Sequence, residues 1–278
     1  MKRRNFLVTL ALASSLLVNG IAGCGSSNEG SRTATDEAGG SKGKLVMATS
    51  ADYPPYEFFE TERGEGEPVG FDIDIAKYIT EKLGYELEIQ DMDFNGIIPA
   101  LQAGRADFAM AGMTPTAERE ENVDFSSIYY DAKNTIVANA GSGLTSYEDL
   151  AGKTVGVQLG SIQENEAKEK AEEIGNITLE PRNKISELIQ EMKAGRIDAA
   201  IIEDTVAAGY IANNPDLEFT TLDEGAEASG SAIAFPKGSE LREEFEAVLQ
   251  EMKDNGTLEA LITKWFEDYY AEQVGDSE

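Results

Sequence analysis

The sequence contains no histidine and a single cysteine, Cys24, and these shortages exclude catalytic and metal sites that depend on histidine or on paired cysteines. Without histidine the chain lacks the commonest general base and the commonest metal ligand. One thiol forms neither an intramolecular disulfide nor a cysteine-based zinc site, and no Ser-His or Cys-His pair can be built. We therefore expect a binding function rather than an enzyme, with no cofactor and no metal.

Basic residues are scarce as well, since 23 Lys and Arg stand against 52 Asp and Glu. Nucleic-acid binding depends on basic side chains that neutralise phosphates, so this balance argues against a nucleic-acid partner. Much of the acidic excess lies in helix-like stretches such as QENEAKEKAEE and LREEFEAVLQEMKD, which are most simply solvated faces. The net charge favours solubility and carries no information on the fold.

Long apolar runs are missing except near the start, where positions 2–4 are basic and 6–18 apolar. This pattern predicts a secretory signal over residues 1–23, because the run is shorter than the roughly 20 residues that span a bilayer. Cys24 ends the stretch IAGC, which resembles the lipobox of bacterial lipoproteins, although Ile replaces the common Leu. Cleavage there would leave Cys24 as a lipid-bearing N-terminus; the alternative is a free buried thiol. The Gly/Ser/Thr-rich residues up to 43 predict a flexible tether.

A short stretch occurs twice in the remaining chain: AGRADFAM at 103–110 and AGRIDAAI at 194–201. Each copy follows a helix-like segment and is typical of a turn that leads from the end of a helix into a buried strand. A similarity over eight residues could arise by chance. However, the surrounding order of strands and helices is also repeated, which predicts βαβ units and mostly parallel sheets. We therefore expect an α/β protein with two equivalent lobes.

Polar residues follow the predicted strands of both lobes, at the sheet edge where open α/β sheets bind ligands. Arg119 offers a planar fork for a carboxylate, with Thr114 and the N–H groups of Gly112 and Ile162 as further donors. Asp204, at the end of a buried strand, would receive an ammonium group. This set suits a zwitterion.

Each of these residues also has an ordinary structural interpretation. Arg119 lies among glutamates and could be a surface arginine of a helix, and Asp204 could be the N-cap of the helix that follows it. The aromatic residues Tyr53, Tyr56 and Phe94 could sandwich a ligand or simply pack in the core.

Six stretches together resemble the periplasmic polar amino-acid-binding proteins, the extracellular solute-binding proteins of family 3 that feed ABC importers. They are TSADYPPYEF, VGFDIDIAKYITEKLG, MDFNGIIPALQAGRADFAMAGMTPTAERE, VDFS, LAGKTVGVQLGS and GRIDAAIIEDTVAAGY. The resemblance covers residues 44 to 270 in the family's order and spacing. It implies a type II periplasmic-binding-protein fold, in which two hinge crossings join the lobes.

The resemblance also implies roles for particular residues. Arg119 matches the arginine that holds the ligand α-carboxylate, with Thr114, Gly112, Ser161 and Ile162 as helpers, and Asp204 matches the aspartate that takes the α-ammonium. Tyr53 and Phe94 match aromatic walls, and Tyr56 is near them. Many members have an aspartate that reads the ligand side chain where Ser50 stands here; acids lie instead at Asp52 and Glu203. The choice between glutamine and a cationic ligand such as Lys, Arg or His stays open.

The resulting expectation is a monomeric substrate-binding lipoprotein of an ABC transporter, extracytoplasmic and anchored to the cell membrane through Cys24, which hands a polar L-amino acid to a permease. The alternatives are an amino-acid sensor and, on the same fold, a dehydratase-like enzyme. We expect lobe 1 to comprise residues 44–131 and 232–270, lobe 2 residues 134–229, the crossings to lie near 131–134 and 228–232, and residues 271–278 to form a tail.

Overall fold

The structure is a computed structural model that describes residues 41–60, 66–222 and 229–269. The signal segment, Cys24, most of the tether and the C-terminal tail lie outside these residues, so the predictions made for them are not addressed. No helix among the described residues is long and apolar enough to cross a membrane.

The described chain forms two α/β lobes that are joined by paired crossings. The first stretch of lobe 1 contains β1 (Lys44–Thr49), β2 (Asp52–Tyr53), β3 (Glu57–Phe58), α1 (Phe71–Leu83), β4 (Glu86–Asp91), α2 (Ile97–Gln102), β5 (Phe108–Ala109), α3 (Ala117–Glu120) and β6 (Val123–Phe125). After β7 (Tyr130–Ala132), lobe 2 contains β8 (Asn134–Asn139), β9 (Thr154–Gln158), α4 (Ile162–Ile174), β10 (Thr178–Arg182), α5 (Ile185–Lys193), β11 (Ala199–Glu203), α6 (Asp204–Ala212) and β12 (Leu217–Thr221). The chain returns through β13 (Ser229–Ser231) to β14 (Ala234–Pro236), α7 (Leu241–Asp254), α8 (Thr257–Ile262) and a π-helical segment (Thr263–Asp268) in lobe 1.

Each lobe is built on a five-stranded sheet, ordered β4-β1-β5-β14-β6 in lobe 1 and β10-β9-β11-β8-β12 in lobe 2. In both sheets the first three strands are parallel, the fourth is antiparallel to its neighbours and the fifth runs with the first three. The expected two-lobed α/β fold is confirmed. The reversed strand of each sheet is the one that enters its lobe from a crossing, which the repeated βαβ pattern did not predict.

The repeated AGR stretches are equivalent in the two lobes. Gly104 and Gly195 both have positive φ, at 64° and 68°, as expected where a helix ends in a left-handed residue. Asp107 then accepts a hydrogen bond from the N–H of Val46 at 2.7 Å, and Asp198 accepts one from the N–H of Thr154 at 2.8 Å. In both lobes the aspartate thus ties the turn to the start of the neighbouring parallel strand, so the repeat reflects a shared structural unit.

Helix ends follow the signals in the sequence. Helix α1 ends at Gly84 with φ 82°, and α4 begins after Ser161, whose Oγ accepts a hydrogen bond from the N–H of Glu164 at 3.0 Å. The apolar stretch 106–113 departs from the expectation, because only Phe108–Ala109 pair as strand β5. The last helical segment, Thr263–Asp268, is π-helical.

The two crossings pair with each other. Strand β7 lies antiparallel to β13, with Asp131 opposite Gly230. Gly230 leaves no room for a side chain, since an added Cβ would lie 2.5 Å from Ile128 Cγ2. The lobes joined by this ribbon contact each other across the cleft, so the structure is a closed arrangement.

Candidate functional site

Arg119 lies buried between the lobes, with 8% of its surface exposed, which rules out the surface-arginine interpretation. Its Nη1 donates to the carbonyl oxygen of Thr114 at 2.7 Å, and its Nη2 donates across the cleft to that of Gly160 at 3.0 Å. The guanidinium stands over the ring of Phe94, 5.3 Å from its centroid. Burial lowers the pKa of Arg119 to about 10, so the group stays charged at neutral pH. A cation fixed in this way can hold a carboxylate.

Gly112 supports the site through its backbone. Its N–H donates to Asp72 Oδ2 at 3.0 Å, so this amide already has a partner in the structure. Its φ is 55°, and an added Cβ would lie 2.9 Å from the ring of Tyr53. Glycine is required here because a side chain would displace that aromatic ring.

Ser161 and Ile162 open helix α4 on the lobe 2 side of the cleft. Ser161 is buried, and its Oγ caps the helix while donating to the carbonyl oxygen of Gln158 at 2.7 Å. Ile162 is the first residue of α4, where backbone N–H groups lack intrahelical acceptors. This end of the helix suits an anionic group.

Asp204 is the first residue of α6, and the N-cap is Glu203, one residue before the position that sequence reasoning offered as the alternative. Asp204 Oδ1 accepts from the N–H of Thr205 at 2.9 Å and from that of Lys133 at 3.2 Å. The backbone of Asp204 also donates to the carbonyl oxygen of Lys133. Because Lys133 lies in the first crossing, this carboxylate is held directly at the hinge.

Glu203 is buried at the end of β11 and faces lobe 1. Its Oε1 accepts from the hydroxyl of Thr205 at 2.8 Å, and its Oε2 accepts from the Tyr53 hydroxyl, across the cleft, at 3.4 Å. Burial raises the pKa of Glu203 to about 7. A cation placed beside this carboxylate would therefore stabilise its ionised form.

The three expected aromatic residues belong to the hydrophobic cores as well as to the region around the cleft. Tyr53 and Tyr56 are in one cluster, with their rings 5.7 Å apart, and Phe94 is in another. Tyr56 is fully buried and also contacts the ring of Phe266.

Sequence reasoning missed Glu57 and Asp72, two fully buried acids of lobe 1. Neither carboxylate oxygen of Glu57 makes a hydrogen bond of normal geometry among the described residues, whereas Asp72 accepts from Tyr129 and Gly112. Burial and the neighbouring Asp72 raise the pKa of Glu57 well above its usual range, and burial raises that of Asp72 to about 6. For Glu57, the sequence signal that could have been used is its position in YEF, directly after Tyr56, where an acid interrupts a stretch that otherwise predicts apolar packing.

Ser50 and Asp52 are brought together, since the Ser50 hydroxyl donates to Asp52 Oδ1 at 3.2 Å. Asp52 Oδ2 turns to lobe 2, where it accepts from the N–H of Ile185 at 2.6 Å. Burial raises the pKa of Asp52 to about 6, against the influence of Lys184 and the backbone donors. Glu57, Asp72 and Glu203 together form what we call the acidic cluster, and no salt bridge among the described residues neutralises any of the three. Asp52 differs from them because it lies 3.8 Å from Lys184 Nζ.

The raised pKa of Glu203 has a consequence for stability. A carboxyl whose pKa is about 7 in the folded protein and 4.5 as a reference value binds more protons when folded, so its stabilising effect is complete below pH 4.5 and is lost as the pH rises through about 7. We expect urea unfolding of the ligand-free protein to give a stability that falls from pH 5 to pH 8, with Glu203 contributing about 3 kcal/mol. Glu203→Gln should make this dependence shallower, whereas the part due to Asp52, Glu57 and Asp72, whose pKa values burial also raises, should remain. An equal slope in both proteins would contradict the role of Glu203.

The fold and the cleft define a two-lobed binding protein, and comparison identifies its family: the chain belongs to the bacterial extracellular solute-binding proteins, family 3, whose profile matches residues 45–268. The arginine-binding extracellular protein ArtP of Bacillus subtilis (strain 168) is 52% identical over 258 residues, which cover 92% of this chain and 96% of that protein. An ancestral arginine-binding protein bound to arginine superposes with a TM-score of 0.75 at 43% identity, covering 81% of this chain and 99% of that one. An ancestral arginine-binding protein bound to glutamine superposes with a TM-score of 0.72 at 43% identity, covering 81% of this chain and 98% of that one.

Proposed function

We propose that this protein captures a cationic L-amino acid, arginine above others, between its two lobes and presents it to an ABC permease for import. The observation that carries the choice of ligand is the acidic cluster, whose buried carboxyls have no cationic partner among the described residues. Buried charges are stable when they are paired, and a guanidinium offers several donors to such a cluster.

The two ends of the ligand backbone would be held from different sides. Arg119 in lobe 1 takes the α-carboxylate, helped by Thr114 and, from lobe 2, by the N–H of Ile162. Ser161 joins them when its hydroxyl turns from the carbonyl oxygen of Gln158 to the ligand. Asp204 takes the α-ammonium with Oδ2, since Oδ1 already accepts hydrogen bonds from the N–H groups of Lys133 and Thr205. Because neither lobe holds both groups alone, a ligand that bridges them favours the closed state through its differential affinity.

The ligand side chain would extend toward the acidic cluster. Glu203 lies one residue from Asp204, and the Tyr53 hydroxyl joins it from lobe 1. A positive charge there stabilises the ionised form of Glu203 and of Glu57, which burial otherwise opposes. Glutamine would satisfy the same groups only by neutral hydrogen bonds, so we expect it to bind more weakly. The relatives named as arginine-binding proteins support arginine as the ligand.

A thermal-shift screen tests the proposal. The twenty amino acids, ornithine and cystine are each added to the purified protein, and binding to the native state raises the melting temperature by mass action. We expect arginine to give the largest rise, lysine and ornithine smaller ones, and aspartate and glutamate none. A largest rise with glutamine would refute the cationic preference, and no rise with any amino acid would refute the function itself.

The cellular setting is part of the proposal. Signal cleavage before Cys24 and lipid attachment to it would hold the protein on the outer side of the cell membrane, where it acts as a monomeric receptor and catalyses no reaction. Metabolic labelling with a fatty-acid probe should mark the protein, and Cys24→Ala should release it from the membrane. An unlabelled, membrane-free wild type would refute the anchor and leave the ligand proposal unaffected.

A further inference from the structure

The first turn of helix α5 in lobe 2 is capped by a side chain of lobe 1. Asp52 Oδ2 accepts hydrogen bonds from the N–H groups of Ile185 at 2.6 Å and Ser186 at 3.4 Å, the first two residues of α5. The helix's own N-cap residue is Lys184, whose ammonium group has no acceptor to offer. Helix α4, in contrast, is capped by its own Ser161. Within α5, Glu187 Oε2 accepts from the N–H of Lys184 at 3.2 Å, but the acceptor for the N–H groups of Ile185 and Ser186 comes from the opposite lobe.

Further contacts between the lobes surround this cap. Lys184 Nζ lies 3.3 Å from Asp91 Oδ1 and 3.8 Å from Asp52 Oδ1, both in lobe 1. The hydroxyl of Tyr210, in lobe 2, donates to the carbonyl oxygen of Asp52 at 2.8 Å. All these contacts join protein to protein, so they depend on closure and not on the side chain of a ligand.

We infer that Asp52, Lys184 and the N-terminus of α5 form a latch that favours the closed arrangement and sets the affinity for every ligand by the same factor. When the lobes separate, the N–H groups of Ile185 and Ser186 lose the Asp52 carboxylate and must turn to water. The apparent affinity of a ligand scales with the population of the competent form, so the latch strengthens binding without touching the ligand. Asp52 is therefore a positioning residue, a different role from the side-chain reader that its place in the sequence had indicated.

The test compares Asp52→Ala with the wild type in two measurements. Small-angle scattering of the ligand-free protein should give a larger radius of gyration, since the open form gains population. Calorimetric titration should give weaker binding of arginine and of glutamine by the same factor, about fivefold, which corresponds to the loss of one N-cap. The titration rests on the proposed binding of an amino acid between the lobes, whereas the scattering does not.

Two further variants separate the latch from a general loss of structure. Asp52→Asn keeps an oxygen acceptor and asparagine is a good N-cap, so it should restore the radius and most of the affinity. Lys184→Ser gives α5 its own N-cap in both arrangements, so adding Asp52→Ala to it should change affinity by much less than fivefold. Comparing Lys184→Ser with the double variant also tests the latch if Asp52→Ala alone fails to fold.

The possible outcomes are distinct. An enlarged ligand-free protein with equal losses for arginine and glutamine supports the latch. An unchanged radius together with a loss for arginine alone overturns it and makes Asp52 a reader of the ligand side chain. An unchanged radius with unchanged affinities also overturns it. If no amino acid binds the wild type, the proposed function fails, and the radius alone decides the latch.

Discussion

Replacing Arg119 by alanine is expected to abolish detectable binding of every amino acid. All amino acids share the α-carboxylate, and Arg119 is the buried guanidinium between the lobes that we propose receives it. Loss of two charge-assisted hydrogen bonds at roughly 1.5–3 kcal/mol each weakens affinity on the order of 100- to 10,000-fold. The same loss should appear for arginine and for glutamine in calorimetric titrations, because the change concerns the ligand backbone rather than its side chain.

Two controls accompany Arg119→Ala. Arg105→Ala removes an exposed arginine of the same lobe and should leave affinity unchanged. Arg119→Lys keeps the charge but not the planar fork, so it should bind with intermediate affinity. Circular dichroism of each ligand-free variant should match that of the wild type. Affinity within threefold of the wild type in a folded Arg119→Ala protein would exclude Arg119 from the carboxylate site.

Neutralising Glu203 or Glu57 is expected to change the ranking of ligands rather than to remove binding. Each variant, Glu203→Gln and Glu57→Gln, should weaken arginine by about 10- to 100-fold, the value of one charge-assisted hydrogen bond, and glutamine by much less. For the wild type, the affinity for arginine should also fall as the pH drops below about 7, where Glu203 gains a proton in the structure. The affinity for glutamine should follow pH less closely.

The matched control is Glu88→Gln, which removes an acid whose side chain is 51% exposed and pairs with Lys44. It lowers the total negative charge equally but lies outside the acidic cluster, so it should leave both affinities unchanged. If it weakens arginine as much as Glu203→Gln does, the preference for cations comes from the overall charge. If neither buried variant changes the ratio of the two affinities, the acidic cluster does not read the ligand side chain.

Much of the architecture could be predicted because its signals are local. Gly84 stops α1, Ser161 starts α4, and the two AGR stretches exit helices into buried strands, as their residue types require. Local signals could not reveal the reversed strand of each sheet. The direction of β8 depends on where the chain re-enters after the β7 crossing, and that is a property of the whole lobe.

The same distinction between local signals and long-range contacts applies to the candidate site. Arg119 and Asp204 could be proposed from their positions after strands and from the family resemblance, and the structure places Arg119 buried between the lobes and Asp204 at the hinge. Whether Arg119 was a surface residue could not be decided from its glutamate neighbours in sequence, because its partners include the carbonyl oxygen of Gly160 in the other lobe.

By itself, the sequence determined the class of this protein: two similar α/β lobes, no histidine chemistry, and one arginine and one aspartate suited to the ends of a zwitterion. Only the tertiary structure decided what the other acids do. It buries Glu57 and Asp72 inside lobe 1 and directs Asp52 to a helix that begins more than a hundred residues later in the chain. The physical reason is that burial, pKa and capping depend on what closure of the lobes brings together, and no local pattern encodes those long-range contacts.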